Sequence, residues 1–146
     1  MRIREAVGAD ADAMAALVTD LGYAVTRSEI SERLTLLGSA GEPPLLAQQD
    51  DEIIGCVTWH VTPVLHRPGP VGRITLLVVA APFRGKGTGR ALVDAVEARL
   101  KQRGCVLAEV TSNVRRRDAH RFYERLGFER TSFRFGKPIE PQKQGG

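Results

Sequence analysis

The spacing of apolar residues changes along this chain, and the changes divide it into elements. Residues 2–7 alternate as a short first strand. Met14, Leu17, Val18 and Leu21 then recur at helical spacing behind Asp10 or Asp12 as the cap. Thr26 and Glu29 form a capping-box pair that predicts a second helix carrying Ile30, Leu34 and Leu37. Residues 38–44 read as a loop. Two β-type runs, 45–49 and 53–61, flank the turn Asp50-Asp51-Glu52 as an antiparallel hairpin. A looser connection over 63–72 leads into a strand at 73–79. After a glycine-rich turn, Leu92, Val93, Val96 and Leu100 mark one face of a helix that Gly104 ends. Residues 105–111 predict a strand and 118–126 a helix. Residues 128–131 and 133–136 would be short closing strands. The order β-α-α-β-β-β-α-β-α-β-β predicts an α/β fold, a mixed sheet with helices on both faces.

Composition narrows the class. A chain of 146 residues is expected to form one domain, here residues 1–139, followed by a polar, frayed tail at 140–146. Apolar residues make up 42% and charged ones 26%, the balance of a soluble globular protein. No run approaches the ~18 apolar residues of a membrane span, and the first residues lack the apolar stretch of a signal peptide, so no membrane is expected. Cys56 and Cys105 lie in apolar strand-like runs and read as buried free thiols, which favours a reducing compartment, the cytoplasm. The net charge of +4 invites a nucleic-acid reading, but the basic residues are scattered and aromatics amount to 5%, so no nucleic-acid partner is expected. No metal site is expected.

The chemistry starts at residues 79–92, where an apolar strand stops at Pro82, passes through a basic glycine-rich turn and opens a helix. Glycines let a backbone approach a ligand, and the first helical turn leaves N–H groups whose summed dipole favours an anion. With Arg84, Lys86 and Arg90 alongside, the guest is a phosphate or pyrophosphate of a cofactor. Gly85-Lys86 has no glycine five residues before it and is followed by Gly87, so this is no P-loop. Gly85, Gly87 and Gly89 are spaced G-x-G-x-G, so it is no dinucleotide fingerprint either. The pattern present is R-x-x-G-x-G, in Arg84, Gly87 and Gly89, and it resembles the acetyl-CoA motif of the GNAT N-acetyltransferases. A second GNAT signature, A-x-x-x-Y-x-x-x-G-F, is matched by Ala119, Tyr123, Gly127 and Phe128. Over 111–137 the chain also resembles the aminoalkylphosphonate N-acetyltransferases.

The resemblance implies a GNAT fold, in which the strand before the glycine-rich turn splays from the following one and the pantetheine arm of acetyl-CoA enters the gap. By position, backbone groups of Leu77, Val78 and Val79 would hold the arm. Arg84, Gly85, Lys86, Gly87, Thr88, Gly89 and Arg90 would hold the pyrophosphate. Asn113 would hydrogen-bond the pantetheine or cap its turn, and Arg116 would meet a phosphate, an anionic substrate or solvent. Coenzyme A is polyanionic, which suits a mildly basic face. Tyr123 stands where the family keeps its general acid for the departing thiolate. Many relatives place a carboxylate base where this chain has Leu76. Glu109, His60 and His66 are the substitutes, and an amine that arrives already neutral is the fourth option. The implied activity is direct acetyl transfer from acetyl-CoA to a primary amine of a small molecule. Acetylation of a protein N-terminus or lysine, and a non-catalytic acyl-CoA-binding regulatory module, are the alternatives. A homodimer is the family expectation.

Overall fold

The computed structural model describes residues 1–112 and 116–141 and divides the chain into two compact units, Met1–Val110 and Thr111–Gly146. The first unit is a five-stranded sheet in the order β1-β2-β3-β4-β5. Its strands are β1 (Arg2–Glu5), β2 (Leu45–Gln49), β3 (Glu52–Thr62), β4 (Val71–Val79) and β5 (Leu107–Val110). The first four pair antiparallel, and β4 with β5 is parallel. That last pairing needs a crossover, supplied by the helix α3 (Thr88–Gln102). The helices α1 (Ala11–Asp20) and α2 (Arg27–Ser39) lie between β1 and β2 in sequence.

Each face of the sheet is covered for a reason visible in the side chains. Met14, Leu17 and Val18 of α1 and Ile30 of α2 form a buried cluster with Leu46, Cys56 and Val78 of the sheet. Leu92, Val93, Val96 and Leu100 of α3 are buried as their spacing predicts. A Cβ at Gly72 would run into the Leu100 side chain, so β4 turns a bare backbone toward α3 at that point. The helix α2 starts as its sequence specifies: the Thr26 hydroxyl accepts from the Glu29 N–H at 3.1 Å, and Glu29 accepts from the Thr26 N–H at 3.0 Å.

Asp10 is more than a helix cap. A short 3-10 turn, Gly8–Asp10, precedes α1, and the carboxylate folds back to accept the Val7 N–H at 2.8 Å. Arg4 of β1 grips both of its oxygens at 2.8 Å. The Arg4 hydrogen bonds, opposed by burial and aided by the Val7 N–H, hold the Asp10 carboxyl below its ordinary range. A depressed carboxyl contributes stability above its unfolded pKa and loses it as pH falls through the folded value. Asp10→Asn should therefore cost about 2 kcal/mol at neutral pH and measurably less at pH 3, where wild type has begun to lose the same contribution. Urea titrations at the two pH values check this; an equal cost at both would assign the effect to shape rather than charge.

The second unit carries α4 (Arg117–Arg125). Phe122, Tyr123 and Phe128 stack edge to face, with centroids 5.2 and 5.9 Å apart along the series. Gly127, at φ 94°, lets the chain turn so that the Phe128 N–H reaches the Tyr123 carbonyl at 3.0 Å. The two closing strands expected at 128–131 and 133–136 do not form among the described residues. Alternation alone does not make a strand; it needs a ladder partner. Phe133 and Phe135, whose spacing suggested one, are 82% and 93% exposed. The strand β5 is also shorter than expected: the Cys105 N–H is taken by the Leu100 carbonyl at the exit from α3, and the ladder with β4 starts at Leu107.

Candidate active site

β4 is paired on one side along its whole length and on the other for less than half of it. Its partners in β3 run from Thr62 opposite Val71 to Gly55 opposite Val79. Its partners in β5 reach only from Val71 to Ile74. Among the described residues, no strand pairs with 75–79 on the β5 side, so alternate residues there present backbone groups that no strand receives. An open strand edge beside a parallel partner is a slot for an extended, amide-bearing ligand. Of the residues expected to hold the arm, Leu77 and Val79 turn their backbone groups to this edge, whereas those of Val78 face Cys56 in the β3 ladder.

The slot begins at a β-bulge. Thr58 opposes Leu76 while its neighbour Trp59 opposes Ile74, so Thr75 is the extra residue. Its hydroxyl lies 2.7 Å from that of Thr58. The bulge reverses which side chains face which helices. Before it, Gly72 faces α3; after it, Leu76 and Val78 pack with the cluster of α1 and α2. Pairing register is set between strands, and no local pattern in residues 71–79 announces it.

At its far end β4 runs into the glycine-rich turn. Arg84 folds back and its Nε donates to the Val79 carbonyl at 3.0 Å. Lys86 Nζ stands 5.9 Å from the Phe83 ring centroid, and Arg90 lies 3.9 Å from Asp94, one turn on. Gly85 and Gly87 adopt φ 75° and 86°, a left-handed backbone that few side-chain-bearing residues tolerate. Among the described residues, no atom beyond the adjoining residues lies within 4 Å of where either Cβ would stand. Gly87 caps α3 with no side-chain hydrogen bond, and the first bond of the helix runs from the Ala91 N–H to the Gly87 carbonyl. The N–H groups of Thr88, Gly89 and Arg90 therefore point out of the helix end unmatched by the helix itself. The Thr88 side chain is buried, close to Gly55, so only its backbone is presented to the turn.

The candidate bases lie on or near the same sheet. Glu109 faces Arg73 across β4 and β5 and accepts its guanidinium at 3.1 Å. His60 lies opposite Arg73 in β3, and its Nδ1 is 3.3 Å from Glu42. Glu42 is itself fixed by the Val61 N–H. Nothing local singles out Glu42, which stands in the 38–44 loop; only the fold brings it to His60. His66 is exposed in the connection between β3 and β4. Asn113 lies outside the described residues.

Tyr123 belongs to the second unit. Burial pushes its hydroxyl pKa up, with Arg116 pulling the other way, so it holds its proton through neutral pH. Its ring is fixed from both sides by Phe122 and Phe128.

On the α1–α2 face of the first unit, a cavity of about 170 Å³ is lined by residues that include Met14, Val18, Leu34, Cys56, Thr58 and Leu76. The last two are cross-strand partners beside the bulge. No described helix is long and apolar enough to cross a membrane.

Known proteins share this fold and much of this sequence. The chain is 34% identical over 143 residues to aminoalkylphosphonate N-acetyltransferase of Salmonella typhimurium, covering 94% of this chain and 90% of that one. It is 32% identical over 149 residues to aminoglycoside N(6')-acetyltransferase type 1 of Stenotrophomonas maltophilia, covering 95% and 94%. Among solved structures it superposes on a transcriptional regulator from Bacillus halodurans with a TM-score of 0.83, at 26% identity and with 94% and 99% of the two chains covered. The model of the Acetyltransferase (GNAT) family matches residues 12–128, a span that includes both the glycine-rich turn and Tyr123. The chain belongs to the GNAT family and is an acyltransferase of the N-acetyltransferase type.

Proposed function

We propose that the protein transfers the acetyl group of acetyl-CoA directly to the primary amine of a small molecule, within a ternary complex and in the cytoplasm. The observation that carries this reading is the unpaired edge of β4 at residues 75–79 running into the unmatched N–H groups at the start of α3. The two features fit two parts of one ligand: the edge suits the amides of a pantetheine arm, and the helix start suits a pyrophosphate. The open space around Gly85 and Gly87 agrees with a ligand approaching the backbone there. When bound, acetyl-CoA supplies an activated acyl thioester.

This chain's own residues then have three tasks. Backbone N–H groups on the open side of β4, those of Leu77 and Val79, stabilise negative charge on the acyl oxygen. Tyr123 gives its proton to the leaving sulfur, a role for which a neutral, ring-fixed phenol is suited. The amine must lose a proton, and Leu76 provides no carboxylate. Of the remaining groups, Glu109 is held by Arg73, whereas His60 has the orienting carboxylate that makes a histidine an effective base. With Nδ1–H directed at Glu42, Nε2 is the accepting nitrogen, acting through water. Cys56 takes no part: burial raises its thiol pKa to about 12.

A turnover assay with acetyl-CoA and a mixed library of small amines tests the function; an absence of acetylated product across the library would reject it. The proton acceptor is read from the pH profile of kcat/KM. The acidic limb should disappear in His60→Ala and persist in Glu109→Gln, with a midpoint that does not depend on the amine. A midpoint that follows the pKa of the amine, in all variants alike, would show that the substrate arrives already neutral.

A further inference from the structure

The cavity under α1 and α2 has the wrong chemistry for a highly polar acceptor. Its walls include Met14, Val18, Ile30, Leu34 and Leu76, with Cys56 at the sheet. The Cys56 thiol is neutral there and acts as one more apolar surface. Thr58 supplies a hydroxyl at the bulge, where it is shared with Thr75 at 2.7 Å. Among the described lining residues only Arg33 is charged; its side chain is 54% exposed and within 3.4 Å of Glu29, so its charge belongs to the rim. The cavity's connection to the reaction is Leu76, which both lines it and stands in the unpaired stretch of β4.

We infer that this cavity seats the body of the acceptor, and that the acceptor is a primary amine carrying a compact apolar group, such as a branched five-carbon chain or a phenyl ring. This rests on the acetyl-transfer reading above and names the substrate class for it. An apolar protein cavity of about 150 Å³ takes a benzene-sized guest, so the available volume matches such a group. The arrangement also accounts for Leu76. A carboxylate at that position would be buried against Met14, Val18 and Cys56 with little to pair with, whereas leucine extends the apolar wall. The amino group then lies at the polar end, beside the Thr58 and Thr75 hydroxyls, and the apolar body fills the space behind.

Two measurements test this with one set of probes: ethylamine, butylamine, 3-methylbutylamine and 2-phenylethylamine, against 2-aminoethanol and 2-aminoethylphosphonate. In the acetylation assay kcat/KM should rise about fourfold per added methylene from ethylamine to butylamine. It should be highest for the branched and phenyl amines and lowest for the two polar ones. In Leu34→Trp, which puts an indole into the cavity from a half-buried position, the ratio of 2-phenylethylamine to ethylamine should fall at least tenfold. Titration calorimetry of 2-phenylethylamine into the protein saturated with coenzyme A reads the cavity without turnover, and the heat should vanish in the same variant. A flat series, or a preference for the polar amines, overturns the apolar assignment while leaving acetyl transfer intact. If no amine is acetylated, the acetyl-transfer reading falls. The calorimetry then decides the cavity alone: binding that Leu34→Trp removes supports an apolar-amine site, and no binding refutes it.

Discussion

Tyr123→Phe is expected to lower kcat with the preferred amine by about 10²-fold, the scale of losing a general acid, while coenzyme A affinity stays near that of wild type. The substitution removes one oxygen and keeps the ring, so the edge-to-face contacts with Phe122 and Phe128 remain. Stability should change by about 1 kcal/mol or less. The raised pKa sets the pH dependence. A phenol whose proton is held more tightly than usual keeps its acid form beyond the ordinary value of 10.0, so the basic limb of the wild-type kcat profile should lie above that pH. In Tyr123→Phe that limb should be gone along with most of the rate. A variant with unchanged kcat, under conditions where single-turnover experiments show chemistry to be limiting, would return Tyr123 to a packing role.

The local parts of this fold are legible in the sequence, and the relational parts are not. The start of α2 is written in Thr26 and Glu29, because a capping box involves two residues three apart. The buried face of α3 follows from the spacing of Leu92, Val93, Val96 and Leu100. The glycine-rich turn and its open surroundings are likewise local, and the left-handed backbone at Gly85 and Gly87 is what glycine is needed for. The features that make a site of these parts depend on how strands meet. The bulge at Thr75 exists only as a mismatch between β3 and β4, and the open edge only as a shortfall in the β4–β5 ladder. The pairing of His60 with Glu42 spans 18 residues of loop and hairpin. The same dependence explains the misread closing strands: Phe133 and Phe135 carry a β pattern, but pairing is a property of two strands. Asp10 shows a milder form. Its type and position predict a cap, whereas its strongest partner is Arg4, in the preceding strand.

Gly87→Val should abolish the response to coenzyme A, and Gly104→Val should not. Both glycines adopt a left-handed backbone, at φ 86° and 76°, and both have open space where a Cβ would stand. A β-branched residue therefore costs each site about the same in backbone strain, roughly 1–3 kcal/mol, and both variants should melt several degrees below wild type. The two sites differ in what they border. Gly87 caps the start of α3 and sets the direction of the Thr88, Gly89 and Arg90 N–H groups; Gly104 follows the end of the same helix. Coenzyme A at 100 times its Kd should stabilise the wild-type protein by about 2.7 kcal/mol, because a ligand that binds only the folded state raises stability by mass action. Gly104→Val should keep that increment on top of a lower baseline. Gly87→Val should lose it, since the side chain occupies the approach to the turn and the strained residue re-aims the helix start. Differential scanning fluorimetry across a coenzyme A titration reads both effects at once. Equal loss of the increment in the two variants would mean that general destabilisation abolishes binding, and would remove the glycine-rich turn from the proposed cofactor site.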